Sequence, residues 1–226
     1  MKLMRLGIIG FAFAASLTLP FVNLAFAQVA HTARQLEHSK LYASRGMKGR
    51  KLTSGGLAVF QETPLQPTLK PRSEALHDMA CRADAVVLGT VVRESSFLVP
   101  DETFVFTDAD VSVSEVVKNN DKSPIYSNQT ITVTRPGGTA YLNGREVNVR
   151  LNHFQPFVGG RRYLLFLTFL PKTEDYEAFG DKAFLIGASD VHNMSGLASW
   201  DESSPQSKNI VAVLQDVRSV ANSTCK

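Results

Sequence analysis

Apolar and polar positions along this chain alternate mostly with a period of two, which predicts strands. Ala85-Val86-Val87-Leu88-Gly89-Thr90-Val91-Val92 is a dense β-branched run, the pattern of a strand buried on both faces. A break is expected around Ser95–Asp101, where Pro100 punctuates the chain. Between Phe104 and Val117, Val105, Ala109, Val111 and Val113 share one side, while Asp108, Asp110, Ser112 and Ser114 share the other. That is a long, half-exposed strand. Asn119–Asn128 is a polar loop containing Pro124. Ile131 and Val133 then alternate with Thr130, Thr132 and Thr134 in a third strand that stops at Pro136-Gly137-Gly138. Asn143-Gly144, between Tyr141-Leu142 and Val147/Val149, marks a tight hairpin, because both turn residues need positive φ. Tyr163–Leu170 is the most apolar strand and the expected centre of the core. After a turn at Pro171–Asp175, Tyr176–Phe179 and Ala183–Ile186 read as a last hairpin.

Three stretches change the period. Ser73 is placed to cap a short helix in which Leu76, Met79 and Ala80 share a face. From Asn209 onward, Ile210, Val213, Leu214, Val217 and Ala221 fall at helical spacing and predict an amphipathic helix of about three turns. A further helical stretch near Ala30–Ala43 has only a thin apolar face. The pattern therefore predicts a mainly β fold over residues 73–226, a small antiparallel barrel or strongly coiled sheet with a short N-terminal helix and a packed C-terminal helix.

The N-terminus carries a different signal. Lys2 and Arg5 precede an uncharged run from Leu6 to Leu19, then Pro20, then Ala25-Phe26-Ala27. This order predicts a signal peptide over residues 1–27 with cleavage between Ala27 and Gln28. A spanning helix needs about 20 predominantly apolar residues, and Pro20 and Asn23 interrupt the run too early. No Cys stands at the cleavage point for a lipid anchor, and no later run is long enough to span. The predicted address is the periplasm or the medium. Without Lys2 and Arg5 the 24 basic residues become 22 against 21 acidic, a net charge of about +1, so the balance gives no reason to expect nucleic acid.

Basic charge is concentrated in residues 28–72. Arg34, Lys40, Arg45, Lys48, Arg50, Lys51, Lys70 and Arg72 face only Glu37 and Glu62, with Gly55-Gly56 and prolines at 64, 67 and 71. This stretch reads as a basic, flexible leader, with contact to an anionic surface as the alternative. Cys81 and Cys225 are the only cysteines, and in an exported chain such a pair is expected to be bridged. The bridge would clasp the C-terminal segment to the entrance of the β domain.

Four segments together resemble a known set of folds: Ala83–Val91, Val111–Lys118, Thr130–Gly138 and Phe157–Leu167. Their order is similar to that of a family of domains in secreted bacterial proteins and, more remotely, to the netrin-like barrel of the tissue inhibitors of metalloproteases. The resemblance implies an OB-type barrel across about Ser73–Ser189. It implies no zinc-chelating N-terminus, because those inhibitors begin with a Cys and this mature chain would begin with Gln28.

Motifs for chemistry are sparse. His31, His38, His77, His153 and His192 show no metal-ligand spacing, and His-Glu-x-x-His, Gly-x-Ser-x-Gly and phosphate-cradling Gly-Lys-Ser/Thr are absent. A noncontiguous Ser/His/Asp site could be assembled from His192, Asp190 and Ser195, but a stretch with those polar residues reads first as an ordinary loop. Asp101, Glu102, Asp108 and Asp110 form the best acidic cluster, but without calcium-loop spacing they read as a solvated strand face. Phe157, Tyr163, Phe166 and Phe169 read as core. Tyr141, Phe154 and Trp200 lie in or near turns and are the expected exposed ligand contacts. The sequence thus predicts a monomeric, noncatalytic exported domain needing no cofactor or metal, which binds a protein or a cell-envelope polymer. An accessory or inhibitory module of an exported protease and a dispersed-site hydrolase are the alternatives.

Overall fold

The computed structural model describes residues 31–47, 51–60, 69–151, 155–178, 180, 182–195, 200, 208–221 and 225. In chain order the elements are α1 (Ala33–Ser44), β1 (Leu57–Phe60), α2 (Arg72–Arg82), β2 (Ala85–Leu98), β3 (Val105–Lys118), β4 (Thr130–Pro136), β5 (Gly138–Leu142), β6 (Arg145–Leu151), β7 (Arg162–Leu170), β8 (Asp175–Glu177), β9 (Ala183–Ile186), β10 (Val191–Asn193) and α3 (Ile210–Ala221).

Five strands close on one another in the order β7-β2-β3-β4-β8, with β8 returning to β7. An odd ring cannot alternate direction throughout, so one pair must be parallel. That pair is β4–β8, in which Val133 faces Tyr176 and Thr134 faces Glu177. Three consecutive strands flanked by a returning fourth is the Greek-key order of an OB-like barrel. Val87, Val91, Val111, Val113, Val133, Leu165, Leu167 and Tyr176 fill its interior.

β2 and β7 are buried on their outer faces as well, which is why they read as continuous apolar runs. There, Val86, Leu88, Leu164 and Phe166 meet Leu76, Met79 and Ala80 of α2 and Val213 and Val217 of α3. A Cys81–Cys225 disulfide joins the end of α2 to the chain beyond α3, with the Cα atoms 5.4 Å apart. Lys118 secures the same corner by donating to the carbonyl oxygens of Ala80 at 2.8 Å and Ala83 at 2.6 Å, satisfying acceptors at the α2 C-terminus.

The distal halves of β2 and β3 extend past the ring and carry a second sheet in the order β1-β6-β5. Leu98, Val105 and Phe106 pack there against Ala140, Leu142, Val147 and Val149. Asn143 and Gly144 take φ of 53° and 74°, the turn that their dipeptide predicts. Among the described residues no helix is long and apolar enough to cross a membrane.

The structure corrects four expectations. The 28–72 stretch is not simply a leader, since α1 and β1 belong to the fold and β1 pairs in parallel with β6. β2 continues to Leu98, so the predicted break shrinks to a tight connection in which Val99 N donates to Phe104 O. Ser73 is no cap, because α2 begins behind Pro71 without a side-chain capping bond. Finally, β8 and β9 do not pair with each other. β7 takes β9 along Tyr163–Leu165 and β8 along Thr168–Leu170, so one long edge accommodates both short strands.

Candidate functional site

The most elaborate polar arrangement lies on the outer face of β3, β4 and β8. Alternation puts Asp108 of β3, Thr132 and Thr134 of β4, and Asp175 and Glu177 of β8 on that side, while Ala109, Val111, Ile131, Val133 and Tyr176 point inward. This is the surface that sequence reasoning assigns to solvent. Instead α1 lies across it.

The local sequence explains the helix. Thr32 and Gln35 form a reciprocal capping box, with Gln35 N donating to Thr32 Oγ1 at 3.3 Å and Thr32 N donating to Gln35 Oε1 at 2.8 Å. Gly46, with φ of 76°, turns the chain away at the other end. Arg34, His38, Tyr42 and Arg45 then share one face through spacings of four, four and three.

That face is matched by acids. Arg34 Nε lies 3.0 Å from Asp175 Oδ2. The buried His38 ring stands between two carboxylates, with Nδ1 3.0 Å from Asp108 and Nε2 3.4 Å from Asp175. Thr173 Oγ1 is also 3.3 Å from Nε2. Arg45 donates two parallel bonds to Glu177 at 2.5 and 2.6 Å, the bidentate geometry that suits a guanidinium. Tyr42 donates to Thr134 Oγ1 and stacks on Phe106, with ring centroids 5.8 Å apart.

Burial by itself would lower the His38 pKa, but the bonds to Asp108 and Asp175 outweigh it and raise the value to about 9. The imidazolium can donate from both nitrogens at neutral pH. Burial raises Glu177, with Arg45 opposing the rise. Tyr42 is pushed well above its ordinary value, chiefly by burial.

A second feature is a cleft of about 380 Å³ between the barrel end and the second sheet, bordered by Thr107, Arg135, Thr139, Asn148, Arg150 and Phe157 among others. Arg135 lies on the same side of β4 as Ile131 and Val133, so its side chain enters the barrel mouth, where its guanidinium carbon sits 4.2 Å from the centre of the Phe157 ring. Burial lowers its pKa to about 9.

The residues singled out by sequence do not converge. Tyr141 is exposed on β5. Phe154 lies outside the described residues. Trp200 is not exposed: it is 1% accessible and stacks on Phe184 at 5.3 Å, because the chain passes beneath the helical layer. Asp190 is 3.0 Å from His192, but the buried Ser195 hydroxyl donates to Asn193 Oδ1 at 2.7 Å. On β10, Asn193 is buried and His192 exposed, so alternation sends these side chains to opposite faces. The acidic cluster also disperses: Asp110 pairs with Arg93, Asp101 accepts from Thr103, and Asp108 meets His38. Among the described residues no His/Cys/Asp/Glu group is arranged to hold a metal ion.

Sequence reasoning missed His38, Arg34 and Arg45 as a set. Their helical spacing was the available signal, hidden because an apolar stripe, and not a basic one, is the usual mark of a docked helix. No family model matches the chain, and no curated protein is significantly similar to it.

Proposed function

We propose that the protein is an exported, noncatalytic domain that binds a protein or a cell-envelope ligand. The observation that carries this reading is the charge-matched dock on β3, β4 and β8. OB-type barrels present ligands to the face of their second and third strands, which are β3 and β4 here. In this chain that face holds a helix through ionic and hydroxyl contacts, a chemistry of recognition and not of turnover. Export is supported by the signal-peptide pattern and agrees with the Cys81–Cys225 bridge. The netrin-like likeness rests on the order of the four sequence segments and carries no function with it. A hydrolase built on His192 is disfavoured by the engagement of the Ser195 hydroxyl with Asn193.

Affinity capture with the oxidised chain from Gln28 onward, against envelope proteins and purified wall polymer, tests the reading. Saturable retention of one ligand, recovered chemically unchanged, is expected. No retention from either source, or recovery of a cleaved ligand, would overturn it.

A further inference from the structure

Helix α1 is held differently from every other layer of the fold. α2 and α3 seal an apolar face and are bridged by a disulfide. In α1 only His38, Ser39 and Tyr42 are buried. Hollows flank it on several sides: about 390 Å³ beside Leu41 and Leu170, about 220 Å³ beside Ala43 and Phe104, and about 380 Å³ beside Arg34 and Asp110. The helix is thus bedded on charges along most of its face and, through Tyr42 and Leu41, on one apolar cluster that includes Phe104 and Phe106, with hollows along its flanks. The five-strand ring closes through β7–β8 without it.

The carboxylates beneath it are constant features of the barrel. Asp175 and Glu177 sit on β8 within the ring, and Asp108 sits near the start of β3, paired with Thr134 of β4. Removing α1 would leave three acids and two threonines in one row, with Phe106 beside them. We infer that this row is an acceptor for basic helices, that α1 is its exchangeable occupant, and that the partner taken up in its place is a basic helix presenting cations at the spacing of Arg34, His38 and Arg45. The inference rests on the binding-domain reading and specifies its ligand class. Charge complementarity fixes the choice: Asp108, Asp175 and Glu177 match the cations of Arg34, His38 and Arg45, so an occupant with cations at the same spacing meets the same three acids.

His38 is the control point of the exchange. It faces Asp108 and Phe106 on β3, Asp175 and Glu177 on β8, and Thr173 in the preceding turn, with Arg34 and Arg45 on its own helix. As an imidazolium it donates from Nδ1 toward Asp108 and from Nε2 toward Asp175, two of the contacts that close the face.

The test uses the full chain from Gln28 onward with its disulfide intact, and a fluorescent peptide of residues 31–47 as probe. In a Tyr42→Ala/Arg45→Ala background the internal helix is weakened. The peptide should bind at least tenfold more tightly than to the unaltered protein, since apparent affinity follows the fraction of open face. Adding Asp108→Asn and Asp175→Asn should cost tenfold or more. A peptide with Arg34, His38 and Arg45 changed to Gln should bind at least tenfold more weakly. Equal binding in both backgrounds, or binding indifferent to the carboxylates, overturns the inference.

Hydrogen exchange on the unaltered protein keeps the question decidable should the variants not fold. α1 amides should exchange at least a hundredfold faster than those of β2 and β3, and equal protection overturns the inference. A concentration-dependent dimer exchanging α1 between copies would overturn it in favour of a second copy as occupant. Retention of an envelope ligand without peptide binding would sink this inference and leave the binding-domain reading standing. Peptide binding without any envelope ligand would do the reverse.

Discussion

His38 should make the stability of this protein fall with rising pH across a window set by one imidazole. Its pKa rises from 6.5 to about 9 because Asp108 and Asp175 bond the charged ring strongly enough to outweigh burial. At about 1.4 kcal/mol for each tenfold change in proton affinity, the rise corresponds to about 3 kcal/mol of stabilisation. A pKa raised on folding means that the folded state binds the proton more tightly. The contribution is therefore complete below pH 6.5, declines between 6.5 and about 9, and is absent above that. Urea denaturation of the unaltered protein and of His38→Gln at pH 6, 7.5 and 9.5 would measure it. Lysines and tyrosines titrate in both proteins, so the difference between the two curves isolates the imidazole. That gap should shrink by about 3 kcal/mol from pH 6 to 9.5. Because α1 can leave the face without opening the ring, exchange of its amides should accelerate over the same pH range. An NMR titration of the imidazole is the most direct check. An observed pKa at or below 6.5, or a stability gap that is flat with pH, would show that Asp108 and Asp175 do not hold the imidazolium.

Other consequences are simpler to test. Cys81→Ala/Cys225→Ala opens a loop with a sequence separation of 144 residues. The chain-entropy relation predicts a loss of about 5 kcal/mol in denaturant unfolding, and a loss under about 1 kcal/mol would reject that account. Gly89→Ala would place a Cβ 2.5 Å from Val111 Cγ1 and 2.9 Å from Ser112 O. A carbonyl fixed in the β2–β3 ladder cannot swing aside, so the midpoint of thermal unfolding should drop by the equivalent of about 1–3 kcal/mol. Tyr176→Phe deletes a hydroxyl that donates to Ser123 O at 2.7 Å and accepts from Asn120. It should cost about 1–2 kcal/mol in urea unfolding, with the 119–128 loop gaining exchange; an unchanged midpoint would count against that bond.

Features that depend on local periodicity, or on chemistry with only one solution, are legible in the chain without its tertiary structure. Alternation located β3 and β4, each with one face to bury, and continuous apolar runs located β2 and β7, buried on both faces. Asn143-Gly144 specified a tight turn because few other dipeptides accept two positive φ angles. Two cysteines in a chain that reads as exported left one pairing to make, and α3 announced itself by spacing. Partner choice was not local. Tyr176–Phe179 and Ala183–Ile186 both read as strands of one hairpin, yet only the free edge of β7 decided that β8 and β9 lie end to end along it and not against each other. Trp200 sits in a polar neighbourhood of sequence, and its burial against Phe184 follows from the helical layer above it. The charged dock is the clearest case. Arg34, His38 and Arg45 look like solvated charge until β3 and β8, over 60 residues away in the chain, bring Asp108, Asp175 and Glu177 beneath them. Periodicity records which side of an element is apolar. It does not record which opposite charge will be waiting there, because that depends on distant strands closing into a ring.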